Sequence, residues 1–115
     1  MYKRQSGNDD NALEFNKRGG VGAISVTANI APKLCSQFQA LSILNDDKSK
    51  NEAKNFDNIL QSLHSAMFVE SNPSPVKFAA KQLGLCDDAV RLSLVKVSEQ
   101  TREIIIKALK STKLI

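Results

Sequence analysis

The side chains able to act as bases, nucleophiles or metal ligands are few and widely spaced. His64 is the only histidine, so no second imidazole stands ready to share a metal ion. It lies beside an apolar helical stripe, where a hydrogen-bonded or half-exposed structural role is expected ahead of catalysis. Cys35 and Cys86 have neither a Cys-x-x-Cys spacing nor a neighbouring histidine, which argues against a metal site or a redox pair. Both are expected to be reduced, half-buried structural residues. No metal and no cofactor is expected.

The charge pattern points away from nucleic acid. Sixteen basic residues are scattered among twelve acidic ones for a net charge of +4, and there is no tryptophan. Phosphate binding needs positive charge gathered on one face. The local clusters are Met1-Tyr2-Lys3-Arg4 and the trio Lys107, Lys110 and Lys113. The trio falls at helical spacing and reads as a solvated helix face that favours a helix C-terminal end. No window approaches the roughly 18 consecutive apolar residues of a membrane span, and the first residues lack the apolar core of a secretory signal. The expectation is a cytoplasmic protein with no nucleic-acid or membrane partner.

The elements that position these groups begin with Gly19-Gly20-Val21-Gly22, where glycines let a turn run close to other backbone. Residues 23–27 then read as a short buried strand. Asn29 is a candidate cap and Pro32 suits the first turn of a following helix over residues 31–44. One strand, loop and helix of this kind is the repeating piece of a parallel α/β fold. A helix over about residues 9–18 precedes it.

Beyond residue 45 the pattern is helical. Leu34, Phe38 and Leu41, with Cys35, form one stripe, and the polar run 45–50 marks a boundary between two structural parts. A long helix over residues 50–69 carries Ala53, Phe56, Leu60, Leu63 and Met67, with Ile59 and Phe68 widening the stripe. Pro73 and Pro75 fix a stiff elbow, Ser74 can cap a helix, and Gly84 can end it. Residues 85–97 read as an irregular connection with an extended piece at 91–95. Ser98 or a neighbour starts a last helix through about Lys110, with Ile105, Ala108 and Leu109 inward.

Six motifs stand in one order and spacing: Ser6-Gly7-Asn8-Asp9-Asp10; Gly19-Gly20-Val21-Gly22 running into Ile24-Ser25-Val26-Thr27-Ala28-Asn29; Leu63-His64 before Phe68-Val69-Glu70; Asn72-Pro73-Ser74-Pro75-Val76-Lys77; Leu83-Gly84-Leu85; and Arg91-Leu92. From Ser6 to Ile115 the chain resembles the C-terminal part of the dihydrodipicolinate synthase family. That resemblance implies a mainly α fold with one or two short strands: the last βα part of a (β/α)8 TIM barrel plus its helical C-terminal extension. Residues 1–45 correspond to the final barrel units and residues 46–115 to a C-terminal helical domain. Ser74 and Ser93 depart from the family pattern, which commonly has an apolar residue and a proline there.

The family condenses pyruvate with aspartate semialdehyde on the route to diaminopimelate and lysine, through a Schiff base on a sixth-strand lysine with a tyrosine and threonine relay. Such a lysine must be desolvated enough to lose its proton near neutral pH. The resemblance places that segment ahead of the residues present here, and Lys17, Lys33 and Lys77 fall outside the nucleophile motif. A complete barrel takes about 200 residues or more. No catalytic residue is therefore expected in this chain, which reads as a truncated relative of the family's enzyme, inactive alone. By resemblance Ile24 and Gly7 lie at the pyruvate pocket, although Ile24 as plain core and Gly7 as a turn fit equally well. The expected partners are an N-terminal fragment of the same enzyme, as in a split two-chain synthase, or a family homo-oligomer. The competing reading is a small helical interaction module.

Overall fold

The computed structural model describes residues 4–115. The basic cluster at the N-terminus lies outside the described residues as far as residue 3. Among the described residues five helices follow in order: α1 (Ala12–Lys17), α2 (Pro32–Ser42), α3 (Asp47–Met67), α4 (Ser74–Gln82) and α5 (Glu99–Ser111). A short 3-10 helix at Thr27–Asn29 precedes α2. None of these helices is long and apolar enough to cross a membrane.

The mainly helical class expected from the sequence is the observed one, but the strand over residues 23–27 shrinks to a single parallel bridge between Ser6 and Ala23. Three backbone bonds hold the pair: Val21 N–H to the Arg4 carbonyl, Ser6 N–H to Gly22, and Ile24 N–H to Ser6. Beyond Ile24 the amides turn elsewhere. Val26 and Thr27 both donate to Asp9 Oδ2, at 2.8 and 3.2 Å, and Ala28 donates to Ser25 Oγ. A strand cannot continue when its next donors are taken by side chains. Asn29 does not cap α2 either: the position before the helix is Ala31, with no side-chain cap, and the Asn29 side-chain amide donates back to the Val26 carbonyl. The close turn expected at the glycines is real at Gly20, where a Cβ would collide with the Phe15 ring and carbonyl.

α3 spans 21 residues and begins three positions before the expected start, because Asp46 accepts the Ser49 N–H at 2.9 Å and Asp47 sits in its first turn. The polar run 45–50 is thus mostly helix. Leu60, Leu63 and Met67 on its stripe are fully buried, facing Phe38 of α2 and Ile105 and Leu109 of α5 in one core. Ile59 and Phe68, expected to widen that stripe, are about half exposed, at 48% and 50%. On α4, Ser74 is not the cap: it lies in the first turn and its hydroxyl donates to the Val95 carbonyl at 2.8 Å. Gly84 ends α4 as expected. Its φ is +72°, and Gly84 and Leu85 N–H return to the Lys81 and Ala80 carbonyls, a Schellman arrangement that favours glycine.

The connection after α4 holds no extended piece at 91–95. Leu94 N–H closes a turn on the Arg91 carbonyl, and Leu92 stands almost wholly in solvent. What fixes this connection is Asp88, whose buried carboxylate receives Lys81 and Lys96 Nζ, each at 2.8 Å. The two ammonium groups hold its carboxyl far below the usual carboxylate range. Ser98 caps α5 as expected, accepting Thr101 N–H while its hydroxyl donates to Glu70 at 2.7 Å.

These packing assignments predict two losses in urea titrations followed by circular dichroism. Leu63→Ala, which empties a fully buried position, lowers unfolding free energy by about 2–5 kcal/mol. Ser98→Ala removes the α5 cap and costs about 1 kcal/mol.

Candidate functional site

The loop after the bridge, the proline elbow and α4 enclose an open hollow of about 490 Å³. Gly7 enters from the loop ahead of α1, Ile24 to Val26 from the segment following the bridge, and Asn72 and Pro73 from the elbow. Val76 and Lys77 of α4 and Cys86 complete the wall. Gly7 and Ile24, which the resemblance sets at one pocket, line the same hollow. Ile24 is not core: it is 73% exposed, because the pair it belongs to has no further strand laid over that face among the described residues. Large apolar side chains normally gain about 1.5–3 kcal/mol by burial, so an uncovered isoleucine on a cavity wall fits a contact surface better than a packing position.

Lys77 is half-buried and donates through Nζ to the Ala89 carbonyl, which engages its ammonium group. Lys17 and Lys33 are exposed. None of these three is enclosed in the way an imine-forming amine requires. Among the described residues no three His, Cys, Asp or Glu side chains converge as a metal site.

Behind the hollow lies a buried polar junction. Asp9, expected to open the first helix, instead reaches Val26 and Thr27 N–H as described above and is itself buried. Thr27 is fully buried, and its Oγ1 lies 2.8 Å from His64 Nδ1. His64 is buried, and its Nε2 has no hydrogen-bond partner among the described residues. Burial lowers the imidazole pKa below its ordinary value, opposed by the negative charges of Asp9, Asp57 and Asp10. Sequence reasoning assigned His64 a structural role and missed Asp9 and Thr27. Their types, an acid in a turn-forming run and a β-branched residue after an apolar one, gave no sign that they would meet.

The cysteines are not alike. Cys35 is buried on α2, where desolvation, reinforced by Asp9, pushes its thiol up to about 11 against the opposing effect of Ser25. Cys86 is exposed on the hollow's rim, and both are free. Neither is the half-buried residue expected.

Comparison with known proteins places this geometry. The model of the dihydrodipicolinate synthetase family matches residues 3–112. The 4-hydroxy-tetrahydrodipicolinate synthase of Pelagibacter ubique is 66% identical over 114 residues, covering 99% of this chain and 39% of that protein. The Parvibaculum lavamentivorans synthase is 46% identical over 110 residues, covering 96% of this chain and 37% of its own length. Among solved structures, the chloride-inhibited dihydrodipicolinate synthase of Acinetobacter baumannii complexed with pyruvate superposes with a TM-score of 0.90 at 43% identity, over 98% of this chain and 38% of that one. The Thermotoga maritima enzyme gives 0.93 at 35% identity, over 99% and 38%. The chain spans under two fifths of these solved enzymes and at most 39% of the two relatives.

Thiol labelling separates the two cysteines. With iodoacetamide near pH 7.5 the folded chain takes one label, on Cys86, and Cys35 is labelled only in denaturant; peptide mass mapping reads the result.

Proposed function

Because the chain belongs to the dihydrodipicolinate synthetase family, we propose that it supplies the C-terminal part of a 4-hydroxy-tetrahydrodipicolinate synthase. In this reading residues 1–45 complete a barrel wall and residues 46–115 form the helical extension beside it. The reaction is the aldol condensation of pyruvate with aspartate semialdehyde in the cytoplasm, on the route to diaminopimelate and lysine. The chain contributes pocket wall to it, and the Schiff-base lysine and its relay come from the preceding barrel strands. Those strands reach it from an N-terminal portion of the enzyme, and the assembled unit forms a homo-oligomer.

The observation that carries this reading is the shared hollow. Gly7 and Ile24 line one cavity with the Asn72–Pro73 elbow, and Ile24 is left uncovered there. Their role is to shape the pyruvate subsite: Gly7 keeps the loop free of a side chain, and Ile24 offers an apolar wall that suits the methyl group of pyruvate. No proton or covalent bond passes through either residue. The unsatisfied edge of the short parallel pair supports the same view, since such an edge is a template for a neighbouring strand.

A second reading, a helical interaction module, draws on Ile59, Phe68, Val69 and Ile104, which stand half exposed on α3, after it, and on α5. Sedimentation velocity separates the two. A module forms a defined complex through these helices without any barrel portion.

Borohydride reduction with pyruvate, read by intact mass, tests the main proposal. The chain alone gains no adduct. Mixed with a separately expressed N-terminal portion of the Pelagibacter ubique relative, it restores pyruvate-dependent adduct formation on that portion and turnover of both substrates. A stable adduct on a single lysine of this chain alone overturns the proposal.

A further inference from the structure

We infer that Asp9, Thr27 and His64 form a proton-sensitive clasp that sets the position of the Ile24–Val26 wall of the hollow. Three segments meet in it: the loop ahead of α1 through Asp9, the start of the 3-10 helix through Thr27, and the last turns of α3 through His64. Asp9 Oδ2 accepts the Val26 and Thr27 amides, so it fixes the backbone directly after Ile24 and Ser25. Thr27 then couples this backbone to the ring of His64 through a bond of 2.8 Å between fully or nearly fully buried groups.

Among the described residues His64 Nε2 is buried without a hydrogen-bond partner, and His64 borders a hollow of about 280 Å³ together with Asn8, Asp9, Asp10, Ser65 and Phe68. In the neutral ring one nitrogen meets Thr27 and the other is left over as an acceptor or donor. In the protonated ring both nitrogens donate, and the second N–H must find an acceptor or leave. The charged acceptors bordering that hollow are the side chains of Asp9 and Asp10. A shift of the imidazolium toward them draws it off Thr27 and competes with the Val26 and Thr27 amides for Asp9. The wall carrying Ile24 then loses its anchor.

The groups acting on His64 set the direction. Asp9 and Asp10 from the loop and Asp57 from α3 favour the cation, and burial outweighs them. Cys35 of α2, which borders a second hollow with His64, stays an uncharged thiol. With the folded pKa below the ordinary 6.5, the unfolded chain binds the proton more readily. The contribution of neutral His64 to stability is complete above that ordinary value and is lost as pH falls through the folded pKa. The hollow is therefore shaped at neutral pH and loosened in acid.

Because His64 is the only histidine, its ring can be followed without ambiguity. The test is a titration of the labelled 115-residue chain from pH 8 to pH 4.5, reading imidazole nitrogens and backbone amides by NMR. The amides of Ile24, Val26 and Thr27 shift in one step whose midpoint equals that of His64 and lies below the free-imidazole value. His64→Gln, which keeps a hydrogen-bonding side chain without a titrating ring, abolishes the step. Thr27→Val, nearly the same shape, leaves His64 titrating and uncouples the amides from it. Amides that stay flat through the His64 midpoint overturn the clasp, as does a step that persists in His64→Gln and so belongs to the carboxylates. If either variant does not fold, the comparison of midpoints in the unaltered chain decides alone. None of these readouts depends on pyruvate or on a barrel portion, so the clasp and the synthase reading stand or fall separately.

Discussion

The buried carboxylate of Asp9 governs the half of the molecule that carries the hollow. One oxygen takes two successive backbone amides, those of Val26 and Thr27, and this ends a parallel pairing that the apolar sequence around it would otherwise extend. A charge-assisted bond to a backbone amide is about twice as strong as a neutral one. A buried carboxylate without such donors would be costly. The two facts lock together: the acid is stable in the interior because the chain turns there, and the chain turns there because the acid takes its amides. Ile24 is thereby held at the mouth of the hollow and Thr27 is delivered to His64.

The remainder rests on α3. Its stripe buries Leu60, Leu63 and Met67 against α2 and α5, and His64 rides on the same helix one position after Leu63. The polar junction is thus fastened to the stiffest apolar part of the chain. On the far side of the hollow, Val76, Phe78 and Ala79 of α4 join the same core, and the connection after α4 is tied by ionic and backbone bonds. Asp88 gathers Lys81 and Lys96, Ser74 holds the Val95 carbonyl, and Glu70 holds Ser98. Such ties let a nearly bare loop, with Leu85, Leu92 and Val95 exposed, keep one path.

Five of the exposed apolar side chains gather in two places. Val21 and Ile24 lie on the short parallel pair, and Leu85, Leu92 and Val95 on the connection after α4. In the proposed enzyme these are the faces that barrel strands and neighbouring segments cover. Burying them is worth several kcal/mol in sum, at about 25 cal/mol for each Å² of apolar surface, a gain that the proposed assembly would bring.

The sequence by itself determined the helices and their buried sides. Periodic apolar residues at 53, 60, 63 and 67, the Ser98 cap and the Gly84 stop act within a few residues of one another, and local chemistry of that kind survives in any fold the chain adopts. The motifs also carried the family, and with it the pairing of Gly7 with Ile24 at one pocket. Tertiary structure alone decided what happens where distant segments compete for the same backbone groups. Residues 23–27 have the composition of a strand, yet a carboxylate from residue 9 takes their amides. Ser74 looks like a cap, yet its hydroxyl is claimed by a carbonyl 21 residues away. His64 reads as one more residue beside an apolar stripe, and only its meeting with Thr27, 37 residues earlier in the chain, gives its protonation something to move. Hydrogen-bond competition across such separations leaves no period or spacing in a sequence, which is why it becomes visible only once the chain is folded.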